Sequence, residues 1–334
     1  MRFNNILFIL FVTFLSVSSC KKSNSDKGSD NKNFDIYVVG TKQVDGQSYA
    51  TYWKNGAEKT LSTVDSKATC IAINGRDVYI GGAVNKPTYN RGVYWKNDQL
   101  TEIPLPDSPI PAVYGVKSIV FDGSDNYIFS DYNRYTKNGV TYDYSNSTPT
   151  NAIYAKGGKL ARVTNDAAGF YYREGTQPGG TLIPGAYSIG AMLLDGNDYY
   201  VAGLRVTTLN NRSYFTPGYW KNGVFEQSDP INVEDNIYIR DIAINKNGVY
   251  IVGSIVDAVK GQVPVYWHQG KINYLPIIAG GINSNARSIF LNGDDIYIAG
   301  DTKGQPCYWK NGNLVILNAD VTSSQATGIA LVPR

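Results

Sequence analysis

The sequence predicts an all-β fold, a seven-bladed β-propeller of four-stranded blades closed by its C-terminal strand. Three observations carry this: a repeated five-residue phrase, its spacing, and the complementary way in which the repeat array begins and ends. The phrase is clearest at Tyr308-Trp309-Lys310-Asn311-Gly312. Near copies begin at Tyr52, Tyr94, Tyr219 and Tyr266, and degenerate ones at Tyr135 and Tyr171. Successive first tyrosines are then 36 to 48 residues apart, the length of a propeller blade. Omitting the degenerate copies would leave a step of 125 residues, so seven units account for the spacing better than six.

Each unit reads as four short strands, A to D. Strand A is of the type at 288–291 (SIFL) and strand B of the type at 296–300 (IYIAG). Strand C carries Tyr-Trp, and strand D follows the Asn-Gly pair. Such pairs suit tight hairpins, because both central residues need positive φ. The strands are near-continuously apolar, as expected where sheets pack face to face and are buried on both sides. Trp53, Trp95, Trp220, Trp267 and Trp309 share one repeat position, so packing between blades is expected of them. The array opens at 35–40 on a strand of type B and ends at 328–332 on a strand of type A. The last strand should therefore complete the first blade and hide its inner edges.

Composition agrees. Among 334 residues there are 26 Tyr and 34 Gly, with 18% charged, which suits strands and many turns. The net charge of +3 is scattered, with no basic stripe for nucleic acid. One histidine, His268, excludes a His-rich metal site, and no cofactor motif appears. Cys70 and Cys307 fall in blades that are not neighbours and read as small buried thiols.

The N-terminus reads as an address. A basic end, Met1-Arg2, precedes an apolar run over 6–17, the size of a signal-peptide core and short for a membrane span. It ends in Val17-Ser18-Ser19-Cys20, which resembles the bacterial lipobox, where cleavage precedes a cysteine that becomes lipidated. The resemblance implies a signal peptide over 1–19, an acylated (palmitate-type) Cys20 opening a polar tether over 20–33, and a propeller over 34–334. Tether and repeats look like those of outer-membrane lipoproteins of Bacteroidetes-type bacteria. That implies a cell-envelope location with the membrane as one partner. The A-then-B strand order resembles NHL-type propeller repeats, which implies a fold and no activity.

Alternating strand directions put the tight A–B and C–D turns on one face. The B–C and D–A links, at 42–50, 83–92, 105–116, 177–187, 204–217, 255–264 and 279–285, fall on the other and read as long and irregular. Insertions gathered on one face often bind ligands. Just before each strand A the aligned residues are Thr69, Lys117, Asn151, Gly190, Arg240, Arg287 and Thr327, which should ring the mouth of the central channel. Lys117, Arg240 and Arg287 would there favour an anionic group, such as a carboxylate or sulfate on a glycan. Pairing with local acids such as Asp241, or simple hydration, is the alternative. Tyr49, Tyr89, Tyr114, Tyr187, Tyr214 and Phe215, with Arg91, Arg205 and Arg212 nearby, suit a glycan or peptide, or pack on one another.

The expected function is that of a non-enzymatic, lipid-anchored envelope protein that binds a glycan or protein partner on the long-loop face. A carbohydrate-active enzyme (polysaccharide lyase or glycoside hydrolase) with its site in the same funnel is one alternative. A structural subunit of an envelope complex is another. No motif for a nucleophile elbow, zinc protease, phosphate loop or dinucleotide fold appears. His268 should sit at a C–D turn, away from the long loops. Asp122-Gly123-Ser124-Asp125 and Asp195-Gly196-Asn197-Asp198 have a calcium-loop look, but their place at A–B links makes them turns. Asp131, Glu234 and Asp235 stay open as glycosidase or lyase groups.

Overall fold

The computed structural model describes residues 33–87, 90–104, 115–130, 134–143, 150–175, 179–209, 212–229, 236–257, 259, 261–319 and 323–334. The expectations placed on 1–32 with Cys20, and on Tyr89, Tyr114, Asp131, Glu234 and Asp235, lie outside these residues. The described residues hold strands and turns and no helix. The strands form seven four-stranded antiparallel sheets, the blades of a seven-bladed propeller.

Blade 1 is closed as expected. The C-terminal strand Gln325–Pro333 is its innermost strand and pairs with Phe34–Val44, from Phe34↔Pro333 to Thr41↔Gln325. Arg334 fastens the seam: its Nε lies 2.7 Å from Asp35 Oδ1, and its N–H donates to the Asn33 carbonyl. The five tryptophans are at most 1% exposed and pack between blades, Trp220 against Ala161 and Val163 of the preceding blade, for example.

The Lys-Asn-Gly phrase has a specific job. In five blades the Asn at the C–D turn takes positive φ (47–51°). Its Oδ1 accepts the N–H of a residue at the start of strand B, as Asn311 does from Ile296 at 2.8 Å. Its Nδ2 donates to the Asp one residue earlier (Asn55 to Asp35, Asn97 to Asp77, Asn138 to Asp125, Asn222 to Asp198, Asn311 to Asp295). The preceding lysine pairs with the same carboxylate in blades 1, 2, 3 and 5 at 2.6–2.9 Å. It also lies over the strand-B tyrosine, as Lys96 lies over Tyr79 at 5.3 Å. The Lys and Asn hydrogen bonds hold the carboxyls of Asp77, Asp125 and Asp198 below the usual range. Blade 6 lacks the clasp. Gly248, His268 and Gln269 replace all three residues, and His268 stacks on Tyr250 at 3.8 Å instead.

The structure corrects two expectations. In blade 4 the cross-strand pairs are Val163↔Tyr172 and Arg162↔Arg173, where blade 7 has Ala299↔Tyr308 and Ile298↔Trp309. The repeat tyrosine is therefore Tyr172, not Tyr171, and Arg173 (7% exposed) fills the tryptophan position, its Nε donating to Thr164 Oγ1 at 2.7 Å. Two adjacent tyrosines left the frame ambiguous. Second, the B–C links at 42–50, 83–92, 204–217 and 255–264 are not irregular. Strands B and C run on as paired ribbons to Val44↔Gln47, Asn85↔Asn90, Leu209↔Arg212 and Asp257↔Gly261. Beyond the blade a ribbon has no sheet packed on it, so its residues lose the apolar pattern that marks a strand.

Candidate functional site

Every strand A carries a β-bulge that puts one residue at the same aligned position outside the cross-strand register, and strand A of blade 5 carries a second bulge at Tyr187. Blade 2 pairs Ala68↔Gly82 and Cys70↔Gly81, so Thr69 is the extra residue. The same interruption singles out Lys117, Asn151, Gly190, Arg240 and Arg287, and Thr327 in the closing strand. These are the seven positions aligned from the sequence. A bulge re-aims the extra side chain out of the sheet plane. Five of the seven, Thr69, Lys117, Arg240, Arg287 and Thr327, line a central cavity of about 420 Å³, together with Cys70, Asp241 and Ser288.

The ring splits into two halves. On the blade 1–2 side the bulged threonines bridge neighbouring blades. Thr327 Oγ1 donates to the Ala68 carbonyl at 3.0 Å, and Thr69 Oγ1 donates to the Val116 carbonyl. At Gly190 a Cβ would lie 2.1 Å from the Ile239 carbonyl, so only glycine fits there. Arg240 and Arg287 form the charged half, on adjacent blades, and Lys117 is exposed on blade 3.

The two arginines are not equivalent. Arg287 Nε lies 3.0 Å from Oδ1 of Asp301, whose side chain is 6% exposed. Burial pushes the Asp301 carboxyl up, while Arg287 and Asn285 hold it back. Arg240 has no acid partner among the described residues, and its guanidinium sits 5.3 Å from the Tyr238 ring centroid. Burial, and then the nearby charge of Arg287, lower its pKa. Asp241 pairs with neither. Its Oδ2 accepts the Ile289 N–H of blade 7 at 2.9 Å and its Oδ1 the Ile242 N–H at 2.8 Å. Burial raises its carboxyl to about 6.

The described loop candidates do not join this cluster. Arg205, Tyr214 and Arg212 come from the ribbon of blade 5, on the rungs Arg205↔Thr216, Thr207↔Tyr214 and Leu209↔Arg212. With a two-residue period these rungs share a face with Val201↔Trp220, which packs toward blade 4. Phe215 lies on the opposite face, with the Tyr187 ring 4.5 Å from it. Arg91 is on blade 2 and pairs with Glu102 at 3.2 Å. Tyr49 donates its hydroxyl to Gln47 at 2.6 Å. His268 lies at the C–D turn as expected, facing the Val249 carbonyl through Nδ1 at 3.2 Å.

The calcium-like loops are turns that tie blades together. Asp122 accepts the N–H groups of Gly157 and Gly158 from blade 4, and Asp195 pairs with Lys156 at 3.0 Å. Among the described residues no group of three or more His, Cys, Asp or Glu could hold a metal ion. Cys70 and Cys307 are free thiols, and burial pushes Cys70 up to about 12. Sequence reasoning missed Asp301. The signal was there in Gly300-Asp301 against Gly253-Ser254, legible once the repeats are aligned past the strand-B glycine.

No protein-family model matches the chain, and no curated protein matches it. Solved structures are similar at low identity. A puromycin-hydrolyzing peptidase of Mycobacterium tuberculosis is 10% identical with a TM-score of 0.54; the match covers 86% of this chain but only 52% of that protein. YCF48 bound to a D1 peptide is 10% identical, with 80% and 93% of the two chains covered and a TM-score of 0.47. AztD of Citrobacter koseri is 7% identical, with 90% and 98% covered and a TM-score of 0.49. This chain spans about half the length of the peptidase, and what it shares with that protein is fold.

Proposed function

We propose that this protein is a non-enzymatic, lipid-anchored binding protein of the bacterial cell envelope, and that it holds an anionic group of a glycan at the mouth of its central channel. One observation carries the reading: bulges in strand A bring five side chains to the central cavity, and on adjacent blades two of those side chains are Arg240 and Arg287. Converging positive charge in a concave site draws and orients an anion. The address rests on the apolar run over 6–17 and on Cys20, read as a lipidated residue ahead of a tether that ends near 33. Multiple acyl chains there would anchor the protein, at about 0.8 kcal/mol per buried CH₂.

Two experiments test the two halves. Cys20→Ala is expected to release the protein from the membrane pellet into the soluble exported fraction; continued membrane fractionation would refute the anchor. That soluble variant is then screened on a glycan array, alone and with Lys117, Arg240 and Arg287 all changed to Ala. Acidic glycans are expected to bind, and the triple change to remove that binding. Binding that survives the triple change moves the site elsewhere, and cleaved glycan products would turn the reading to an enzyme.

A further inference from the structure

Comparing blades 6 and 7 rung by rung isolates one difference beside the channel mouth. In blade 7 the bulged residue is Arg287, and the residue two before it, Asn285, pairs across the sheet with Asp301. In blade 6 the bulged residue is Arg240, and the residue two before it, Tyr238, pairs with Ser254. Ser254 therefore stands where Asp301 stands. Asp301 gives one oxygen to Arg287 Nε at 3.0 Å and the other to Asn285 Nδ2 at 3.2 Å. Ser254 is fully buried, and its hydroxyl has no hydrogen-bond partner among the described residues. An unpartnered buried hydroxyl is costly and uncommon in a folded protein, so one on the rung where blade 7 places its acid calls for an account.

The geometry points to Arg240 and Ser254 as the open half of an ion-pair site whose missing carboxylate the ligand supplies: a monoanionic oxoacid group, a sugar carboxylate or a sulfate ester, seats on Arg240 as Asp301 seats on Arg287. The assignment rests on the binding role proposed above and makes Arg240 its recognising residue. Charge sets the ligand class. Asp301 compensates Arg287, leaving the single positive charge of Arg240 on this side of the mouth. A monoanion matches it, and a guanidinium offers that group two parallel donors. Tyr238 steadies the guanidinium from below, since a cation over an aromatic face is attracted to it. A cavity of about 420 Å³ lies in the size range of small-molecule sites. Arg287 differs in that its Nε is already tied to Asp301, whose carboxylate offsets its charge.

The test follows the Arg Nε–H signals of the full chain carrying Cys20→Ala by NMR, during titration with sodium glucuronate, sodium methyl sulfate or glucose. Both anions are expected to shift the Arg240 signal saturably, with the Arg287 signal unmoved and glucose without effect. The tighter anion identifies the source of the group. Ser254→Asp installs the internal acid that blade 7 already tolerates, and should weaken both anions roughly 10- to 100-fold. Arg240→Gln should do the same and covers the case in which Ser254→Asp fails to fold. The assignment is overturned if the Arg240 signal shows no saturable shift. It is equally overturned if binding by calorimetry survives Arg240→Gln while Arg287→Gln abolishes it. A negative glycan array with a positive titration would remove the glycan role and keep the site; the reverse would keep the role and remove the site.

Discussion

Deleting residues 325–334 is expected to unfold the propeller or drive it into aggregates. The deleted strand supplies the innermost strand of blade 1 and buries Ile329, Leu331 and Val332, each at most 6% exposed. Burying such a side chain contributes about 1.5–3 kcal/mol, so three contribute roughly 5–9 kcal/mol. That is comparable with the roughly 5–15 kcal/mol of net stability a domain has. The loss would not stay local. Ile329 and Leu331 pack in one cluster with Val38, Trp53, Tyr297 and Ala299, which joins blade 1 to blade 7. Removing the strand also leaves Phe34–Val44 as an open edge, a template for pairing with other chains. The check is a thermal melt by circular dichroism beside light scattering. A melt unchanged from that of the full chain would sink the closure argument.

How much of this was legible in the sequence depends on what each residue answers to. Blade number, closure and the bulge ring follow from the backbone repeat, and the repeat is printed in the chain. The same pressure fixes Thr69, Arg240 and Thr327 at one aligned position, whatever their side chains do. Partners are set by neighbouring strands and were less legible. Asp241 sits next to Arg240 in sequence, yet its carboxylate is spent on the Ile289 N–H of the next blade. Asp301, 14 residues from Arg287, is the acid that reaches it. The ribbon of blade 5 was hidden for another reason. Arg205, Thr207 and Leu209 are exposed on one side, so the period-2 signal faded where the strand left the core. Even so, that period placed Arg205, Tyr214 and Arg212 on one face once the register was known.

Changing Gly253 to Ala is expected to damage both the fold and the anion site, although Gly253 lines neither the cavity nor the mouth. An added Cβ would lie 1.9 Å from the Tyr238 carbonyl oxygen, which no adjustment of side chains can relieve. The strand-B glycine of four other blades meets the same obstacle, at 2.0 Å for Gly40 and Gly82, 2.1 Å for Gly203 and 1.9 Å for Gly300. In blades 3 and 4 the position is held by Ser130 and Thr164, paired with Val116 and Thr150. In blade 6 the pairing of strands A and B runs on past the glycine, at Tyr238↔Ser254 and Ile237↔Ile255. Gly253→Ala should therefore free the first two residues of Ile237–Asn245, including the buried Ile237 and the Tyr238 ring beneath Arg240. Overpacking of this kind costs about 1–3 kcal/mol, which in a chain of this size lowers the melting temperature by roughly 3–10 °C. Because Tyr238 and Ser254 separate, anion affinity should fall along with stability, whereas a surface change of equal cost elsewhere should leave affinity alone. A Gly253→Ala protein that melts and binds like the parent would show that the bulge tolerates a Cβ, and that the strand-B glycine has no part in aiming Arg240.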